Sequence, residues 1–233
     1  MGRLYIIPTP IGNLKDISFR AVETLQEVDL VLAEDTRKSG ILLKHFDIKT
    51  PLVSHHKFNE HRESEKICEQ IAEGKNIALI TDAGTPGISD PGFLLVRTCI
   101  AKKIEVETFP GATAFIPALV NSGLPCDRFC FEGFLPQKKS RMKRIKKLEN
   151  EERTMVFYES PHRIARLIDQ LINVFGGQRK ASLSRELTKI HEENLRGSLD
   201  EIATKLKDVP PRGEYVLVVA GNREQGKTVS DER

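Results

Sequence analysis

The N-terminal half of the chain alternates short apolar runs with segments whose apolar residues recur every three or four positions. Arg3 to Pro8 is a strand-length apolar run, and Ser18 to Val28 sets Ala21, Val22, Leu25 and Val28 on one helical face. Asp29 to Ala33 returns to a strand pattern. A helix capped by Asn59, with Ile67, Cys68 and Ile71 on its inner face, ends at Gly74, and Asn76 to Thr81 is the next strand. Asp90-Pro91 reads as an N-cap followed by proline in the first helical position. Ile104 to Phe109 reads as a strand and Ala112 to Asn121 as a short helix. Such alternation predicts a mostly parallel sheet with helices on both faces.

The turn formers Asn121 to Pro125 mark a domain boundary. Beyond them come a strand at Phe129 to Phe131, a cationic helix, a strand at Thr154 to Glu159, and a helix from Pro161 to Phe175 capped by Ser160. Strands at Lys180 to Glu186 and about Ile190 to Arg196 follow. A helix capped by Ser198, with Glu201 placed for a capping box, leads to a last strand at Glu214 to Ala220. Strands now neighbour strands, which predicts a mixed sheet. The expected architecture is two α/β domains, residues 1–120 and 121–221, with a polar tail over 222–233.

Composition narrows the class. Of 233 residues, 39% are hydrophobic and 30% charged, which is globular and too apolar for disorder. No apolar run approaches the roughly 18 residues of a membrane span, and the first residues lack a signal-peptide core. Four cysteines without a CxxC pair, and six histidines without HExxH, point to a reducing cytoplasm and to no metal. Net charge is +3, but Lys138, Lys139, Arg141, Lys143, Arg144, Lys146 and Lys147 lie in one ten-residue stretch with no acid, so the remainder is net negative. Met142, Ile145 and Leu148 supply an inner face. A solvated helix mixes charge signs for pairing between turns, whereas like charges at this density call for an anion opposite. An RNA backbone is the natural one.

Glycine and proline gather where strands end: Thr9 to Leu14, Asp82 to Ser89, and Pro110 to Ala114. Any one of these reads as a tight turn; three at like strand ends bring a ligand crevice level with that reading. Asp82 there offers a carboxylate to a ribose hydroxyl or a cation. Ala33-Glu34-Asp35-Thr36-Arg37 is either a catalytic acid pair beside an arginine or a helix start capped by Asp35. Tyr158 to Arg163 and Ser184 to Glu186 are polar clusters of the same double meaning. Gly221 to Thr228 satisfies G-x4-G-K-[ST], but only five residues follow, with no helical pattern to receive a phosphate. No G-x-G-x-x-G is present.

Taken together, Thr9-Pro-Ile-Gly-Asn13, Ala33-Glu-Asp-Thr-Arg37, Asp82 to Asp90, Phe109-Pro-Gly-Ala112 and Glu159-Ser-Pro-His-Arg163 resemble the bacterial small-subunit ribosomal RNA (cytidine-2′-O)-methyltransferases of the tetrapyrrole methylase superfamily. The resemblance runs from about residue 2 to 221. It implies S-adenosylmethionine in a cleft between two α/β domains, a homodimer, and a cytidine of the decoding region, in ribosomal RNA or the 30S particle, as target. Carried over by residue, it implies cofactor contacts from Pro8, Asp82, Gly84, Thr85, Ile88, Ser89, Thr113, Ala114, Leu135 and Glu214. A 2′-hydroxyl needs its proton removed to become a good nucleophile. The candidate bases are Glu34, Asp35, His162 and Glu186. The RNA contacts expected from the cationic helix are Lys138, Lys139, Arg141, Lys143, Arg144 and Lys147. A tetrapyrrole methylase and a non-catalytic RNA-binding protein are the alternatives; the first has no need of the cationic helix, the second none of the strand-end loops.

Overall fold

The computed structural model describes residues 2–56, 60–207 and 212–222, without the side chains of 60–62 and 139. The expected Asn59 cap and nearly all of the Gly221 to Thr228 motif and the polar tail lie outside the described residues. The chain forms two compact units, which part between Thr113 and Ala114. That is one helix before the turn-rich segment on which the sequence places the boundary. The physical reason is α5 (Phe115–Ser122), which buries Ala118 and Leu119 and packs on strands of the second sheet.

The first unit runs β1 (Arg3–Ile6), α1 (Phe19–Glu27), β2 (Leu30–Ala33), α2 (Thr36–His45), β3 (Leu52–Ser54), α3 (Glu60–Ala72), β4 (Ile77–Leu79), α4 (Phe93–Ala101) and β5 (Glu105–Thr108). Its sheet is parallel throughout, in the order β3-β2-β4-β1-β5. Central β4 is apolar at every position because both its faces are covered. Leu25 of α1 and Leu43 of α2 pack with Ile7, Val31 and Ile80 on one face. Ile71 of α3 and Leu95 of α4 pack with Leu4, Leu32 and Leu79 on the other. The buried thiols of Cys68 and Cys99 meet there at 3.5 Å, and both are free cysteines.

This layering creates a switch point. Strand β1 leads into α1 on one face, while its neighbour β4 leads into α4 on the opposite face. Adjacent strands whose connections part in this way leave a crevice at their C-terminal ends.

The second unit continues with α5, β6 (Phe129–Phe134), α6 (Lys139–Lys147), β7 (Thr154–Glu159), α7 (Ile164–Phe175), β8 (Lys180–Arg185), β9 (Glu193–Ser198), α8 (Leu199–Leu206) and β10 (Tyr215–Val219). The sheet order is β6-β7-β10-β8-β9. Only the β6–β7 pair is parallel, so the sheet is mixed, as the crowding of strands predicts. Ile145 and Leu148 join Phe157, Leu167, Leu171 and Leu217 in the core on one face. The Ser198–Glu201 capping box forms as its spacing requires.

Two helix starts differ from expectation. Helix α4 begins at Phe93, after Gly92 at φ +133°, with no side-chain cap, so Asp90 does not serve as one. Helix α7 begins at Ile164; Ser160 turns the chain ahead of it, and its hydroxyl accepts a hydrogen bond from Arg163 Nε instead of capping. No helix among the described residues is long and apolar enough to cross a membrane.

Candidate active site

The loops after β1 and β4 are joined across the crevice. Thr9 and Gly84 exchange both backbone hydrogen bonds at 2.9 Å. The Thr9 hydroxyl donates to Thr81 O at 2.9 Å, and the Thr81 hydroxyl donates to Gly84 O at 3.2 Å. Thr85 Oγ1 donates to Ala112 O at 3.0 Å, tying in the loop after β5. Gly111 passes so close to Pro8 that a Cβ would lie 2.7 Å from the proline ring. Pro8, Gly84, Thr85 and the Pro110–Thr113 segment thus form one rigid rim, with Ile88 and Ser89 exposed beyond it. Thr113 closes the first unit and Ala114 opens the second; both are half-buried.

Asp82 is already engaged. Its Oδ1 accepts from the Asp35 amide at 3.1 Å, and its Oδ2 takes Lys38 Nζ at 2.8 Å. It therefore locks the β2 and β4 loops together, and Lys38, which the sequence reading passed over, is its clamp. Asp35 resolves to the structural one of its two readings. It caps α2 by accepting from Arg37 N at 2.9 Å, and its bond with the Arg37 guanidinium holds the carboxyl well below the usual range. A carboxylate held in that way is a poor base.

Glu34 behaves in the opposite sense. Partial burial, with Asp82 adding to it, pushes its carboxyl above the ordinary value, while Lys38 and His56 pull in the other direction. Asp90 is the residue the sequence assigned to capping. Burial, then the charges of Glu34 and Asp82, push it up to about 7. The signal for it was Gly92, two residues on, which takes the left-handed turn that a proline-started helix would not need. The loops after β2 and β4 thus bring together three carboxyl groups, Glu34, Asp82 and Asp90, with Lys38 paired to Asp82.

At the corresponding end of the second sheet, where β6, β7 and β8 finish and β10 begins, lie four more of the expected residues. His162 is exposed in the turn before α7. Glu186 takes Lys189 Nζ at 2.8 Å and the Glu214 amide at 2.9 Å; burial works upward on its carboxyl, but these two partners outweigh it and hold the group below its usual value. The Glu214 carboxylate takes the same Lys189 at 3.0 Å. Leu135 is 4% exposed and its side chain belongs to the core, leaving only its backbone to face a ligand.

The cationic helix divides in two. Arg141 is buried, with Nη2 2.7 Å from Glu159 Oε2 and Nε 2.7 Å from Gln170 Oε1, while Arg163 and the Ser160 amide hold the other Glu159 oxygen. Arg144 forms a two-point pair with Glu132, each contact 2.8 Å. Arg141 is therefore not open to RNA as the sequence expected, whereas Arg144, though paired, remains exposed. Lys138, Lys143, Lys146 and Lys147 are exposed.

A profile of the family described as Tetrapyrrole (Corrin/Porphyrin) Methylases matches residues 3–203. The chain belongs to the tetrapyrrole methylase family. It is 50% identical to a protein from Synechocystis sp. named ribosomal RNA small subunit methyltransferase I, over 95% of this chain and 80% of that one. A protein of the same name from Escherichia coli O157:H7 is 49% identical over 96% and 79%. Among solved structures, a diphthine synthase shares the fold with a TM-score of 0.74 at 16% identity, covering 94% of this chain and 90% of that one. A uroporphyrin-III C-methyltransferase from Thermus thermophilus, solved with S-adenosylhomocysteine, gives 0.64 at 17% identity, covering 94% and 97%. As a family member, this chain is a methylase, and its strand-end crevice lies where an open α/β sheet binds ligands.

Proposed function

We propose that this protein transfers a methyl group from S-adenosylmethionine to the ribose 2′-hydroxyl of a cytidine in the decoding region of small-subunit ribosomal RNA. The observation that carries the reading is one chain with both a carboxylate-bearing crevice at a switch point and a helix that, with its N-cap residue, carries four exposed lysines. The near-50% relatives named as ribosomal RNA methyltransferases support it. A macrocycle presents a compact cluster of carboxylates, whereas lysines spread along a helix match the regularly spaced charges of an RNA backbone. The reading includes a cytoplasmic homodimer that acts on the RNA or on the assembled small subunit.

The residues present fit the methyl donor. It is a sulfonium cation with ribose hydroxyls, and Glu34, Asp82 and Asp90 supply the complementary charge, while the Thr9–Gly84 and Gly111–Pro8 approaches keep side chains off the rim. When bound, this group supplies an already activated methyl. The protein's main task is then alignment, which is worth about 7–11 kcal/mol of barrier when the reacting atoms are held in line. Asp82, fixed by Lys38 and the Asp35 amide, holds the two loops in register. Glu34 is the base assigned to the 2′-hydroxyl proton, because its raised carboxyl is a stronger proton acceptor than Asp35 or Glu186.

A cation beside these carboxylates favours their ionised forms, so its binding releases protons. The folded-state carboxyl of Asp90 lies near 7, above its ordinary value. Affinity for S-adenosylmethionine should therefore rise as pH goes from 6 to 8, and more steeply than affinity for S-adenosylhomocysteine, which lacks the sulfonium charge. The same shift penalises the folded state as pH rises from about 4 to about 7. Asp90→Asn should flatten the binding profile and raise Tm at pH 8. Calorimetry across pH checks both, and a profile unchanged in Asp90→Asn would remove Asp90 from the site.

The proposed activity is tested by mass-spectrometric mapping of ribosomal RNA from a strain lacking the protein. Loss of one 2′-O-methylcytidine from the small-subunit RNA is the expected result. An unaltered RNA, with methyl transfer to uroporphyrinogen in vitro, would replace the reading by the tetrapyrrole one.

A further inference from the structure

The second sheet carries a row of aromatic rings that the methyl-transfer site does not use. On the face covered by α5, Phe115 lies 4.6 Å from Phe131 and 6.0 Å from Phe129 between ring centroids. Phe131 meets Tyr158 edge-on at 5.1 Å, and Tyr158 meets Phe134 edge-on at 5.5 Å. The inner rings are partly covered, but Phe134 at the end of the row is 53% exposed. A large ring left open to water, while its neighbours are packed, needs a reason.

Strand alternation alone would have turned Phe134 to the opposite face from Phe131, since the two are three positions apart. The β6–β7 register shifts between Phe131 and Gly133, so that Phe131 pairs with Val156 and Phe134 with Tyr158. Gly133 takes φ +58°, the left-handed conformation that such an irregularity needs. The extra residue thus returns Phe134 to the aromatic face, at the last position of an edge strand. Without it the ring would point into the core where Leu135 and Phe157 lie.

Four residues later the chain reaches Lys138, so the two residues are separated by at most about 14 Å. Exposed Lys143, Lys146 and Lys147 follow on α6. An aromatic ring fixed edge-on by a second ring, at the end of the edge strand that leads into lysine-bearing α6, supplies within one stretch of chain the two components of single-stranded nucleic-acid binding: a stacking surface and phosphate contacts. RNA bases are read mainly where they are unstacked and can lie against aromatic side chains.

We propose that Phe134, braced by Tyr158, is the stacking surface for an unstacked pyrimidine base of the RNA substrate. This rests on the RNA reading and adds to it the residue that holds the base. The occupant is a base and not a protein side chain, because the chain that follows the ring carries exposed Lys138, Lys143, Lys146 and Lys147, which complement phosphate, while the nearby Glu132 is taken up by Arg144.

The chain contains no tryptophan, so Phe134→Trp introduces a sole indole reporter. Titration with a short single-stranded RNA of the small-subunit target sequence should quench its emission, and S-adenosylmethionine should not. Phe134→Ala should bind the same RNA roughly 5- to 150-fold more weakly, the loss expected for one base–aromatic stack, with Phe134→Trp close to wild type. Calorimetric affinity for S-adenosylmethionine should be unchanged in both. Wild-type RNA affinity in Phe134→Ala, or an indole blind to RNA, would overturn the assignment. So would a loss confined to S-adenosylmethionine, which would place the cofactor's adenine on the ring instead. Wild-type protein that neither binds nor methylates RNA would overturn the RNA reading itself, and this inference with it.

Discussion

Glu34→Gln is expected to lower kcat by about 10²–10⁴-fold, the usual contribution of a positioned general base, with RNA affinity nearly unchanged and S-adenosylmethionine held more weakly, because its sulfonium loses one facing carboxylate. The substitution keeps the shape of the side chain and removes its charge and its ability to accept a proton. Single-turnover methyl transfer at saturating substrate separates the chemical step from binding. Asp90→Asn, by contrast, should retain most of the activity and move the pH dependence, because Asp90 is the group whose protonation burial and the charges of Glu34 and Asp82 shift. A Glu34→Gln enzyme within a few-fold of wild type would place the base elsewhere, and His162 would be the next residue to replace.

The second large effect separates two kinds of cation on one helix. Arg141→Ala should destabilise the protein by about 3 kcal/mol, since it leaves a buried carboxylate short of a partner. That is the low end of the range for opening a buried pair, because Arg163 and the Ser160 amide still hold Glu159. Lys143, Lys146 and Lys147 changed together to Glu should leave stability nearly unaltered and weaken RNA binding severely. The slope of log K against log salt should fall in magnitude by about 2, as three contacts to a single-stranded backbone are lost. Urea denaturation and RNA titration at several salt concentrations read the two effects independently. A destabilised lysine variant with an unaltered salt slope would show that the helix serves the fold alone.

The differences between sequence and structure have specific causes. Periodicity identified the layered βα order of the first unit because its central strands are apolar on both faces and its helices amphipathic. Strand β3 escaped notice because it is three residues long, at the sheet edge, with Val53 exposed. Arg141 was legible in part: it stands four and seven positions before Ile145 and Leu148, on the face that α6 buries. What was not legible is its partner, since Glu159 arrives from a different strand. The same holds for Asp90, whose neighbours Glu34 and Asp82 come together only through the sheet order. Phe134 was hidden by an irregularity that reverses the alternation on which a strand reading depends. The site residues that sequence motifs name cluster at strand ends, but whether a residue there clamps a loop, as Asp82 does, or stands ready for a proton, as Glu34 does, is decided by contacts between distant segments.

The central claim is transfer to a ribose oxygen, and a substrate with one atom removed tests it most directly. Small-subunit RNA is assembled with a single 2′-deoxycytidine at the mapped position and offered to the protein with labelled S-adenosylmethionine. The account predicts that label enters the all-ribose RNA at that cytidine and that none enters the deoxy nucleotide. Undiminished incorporation at the 2′-deoxycytidine would contradict it and place the methyl on the base.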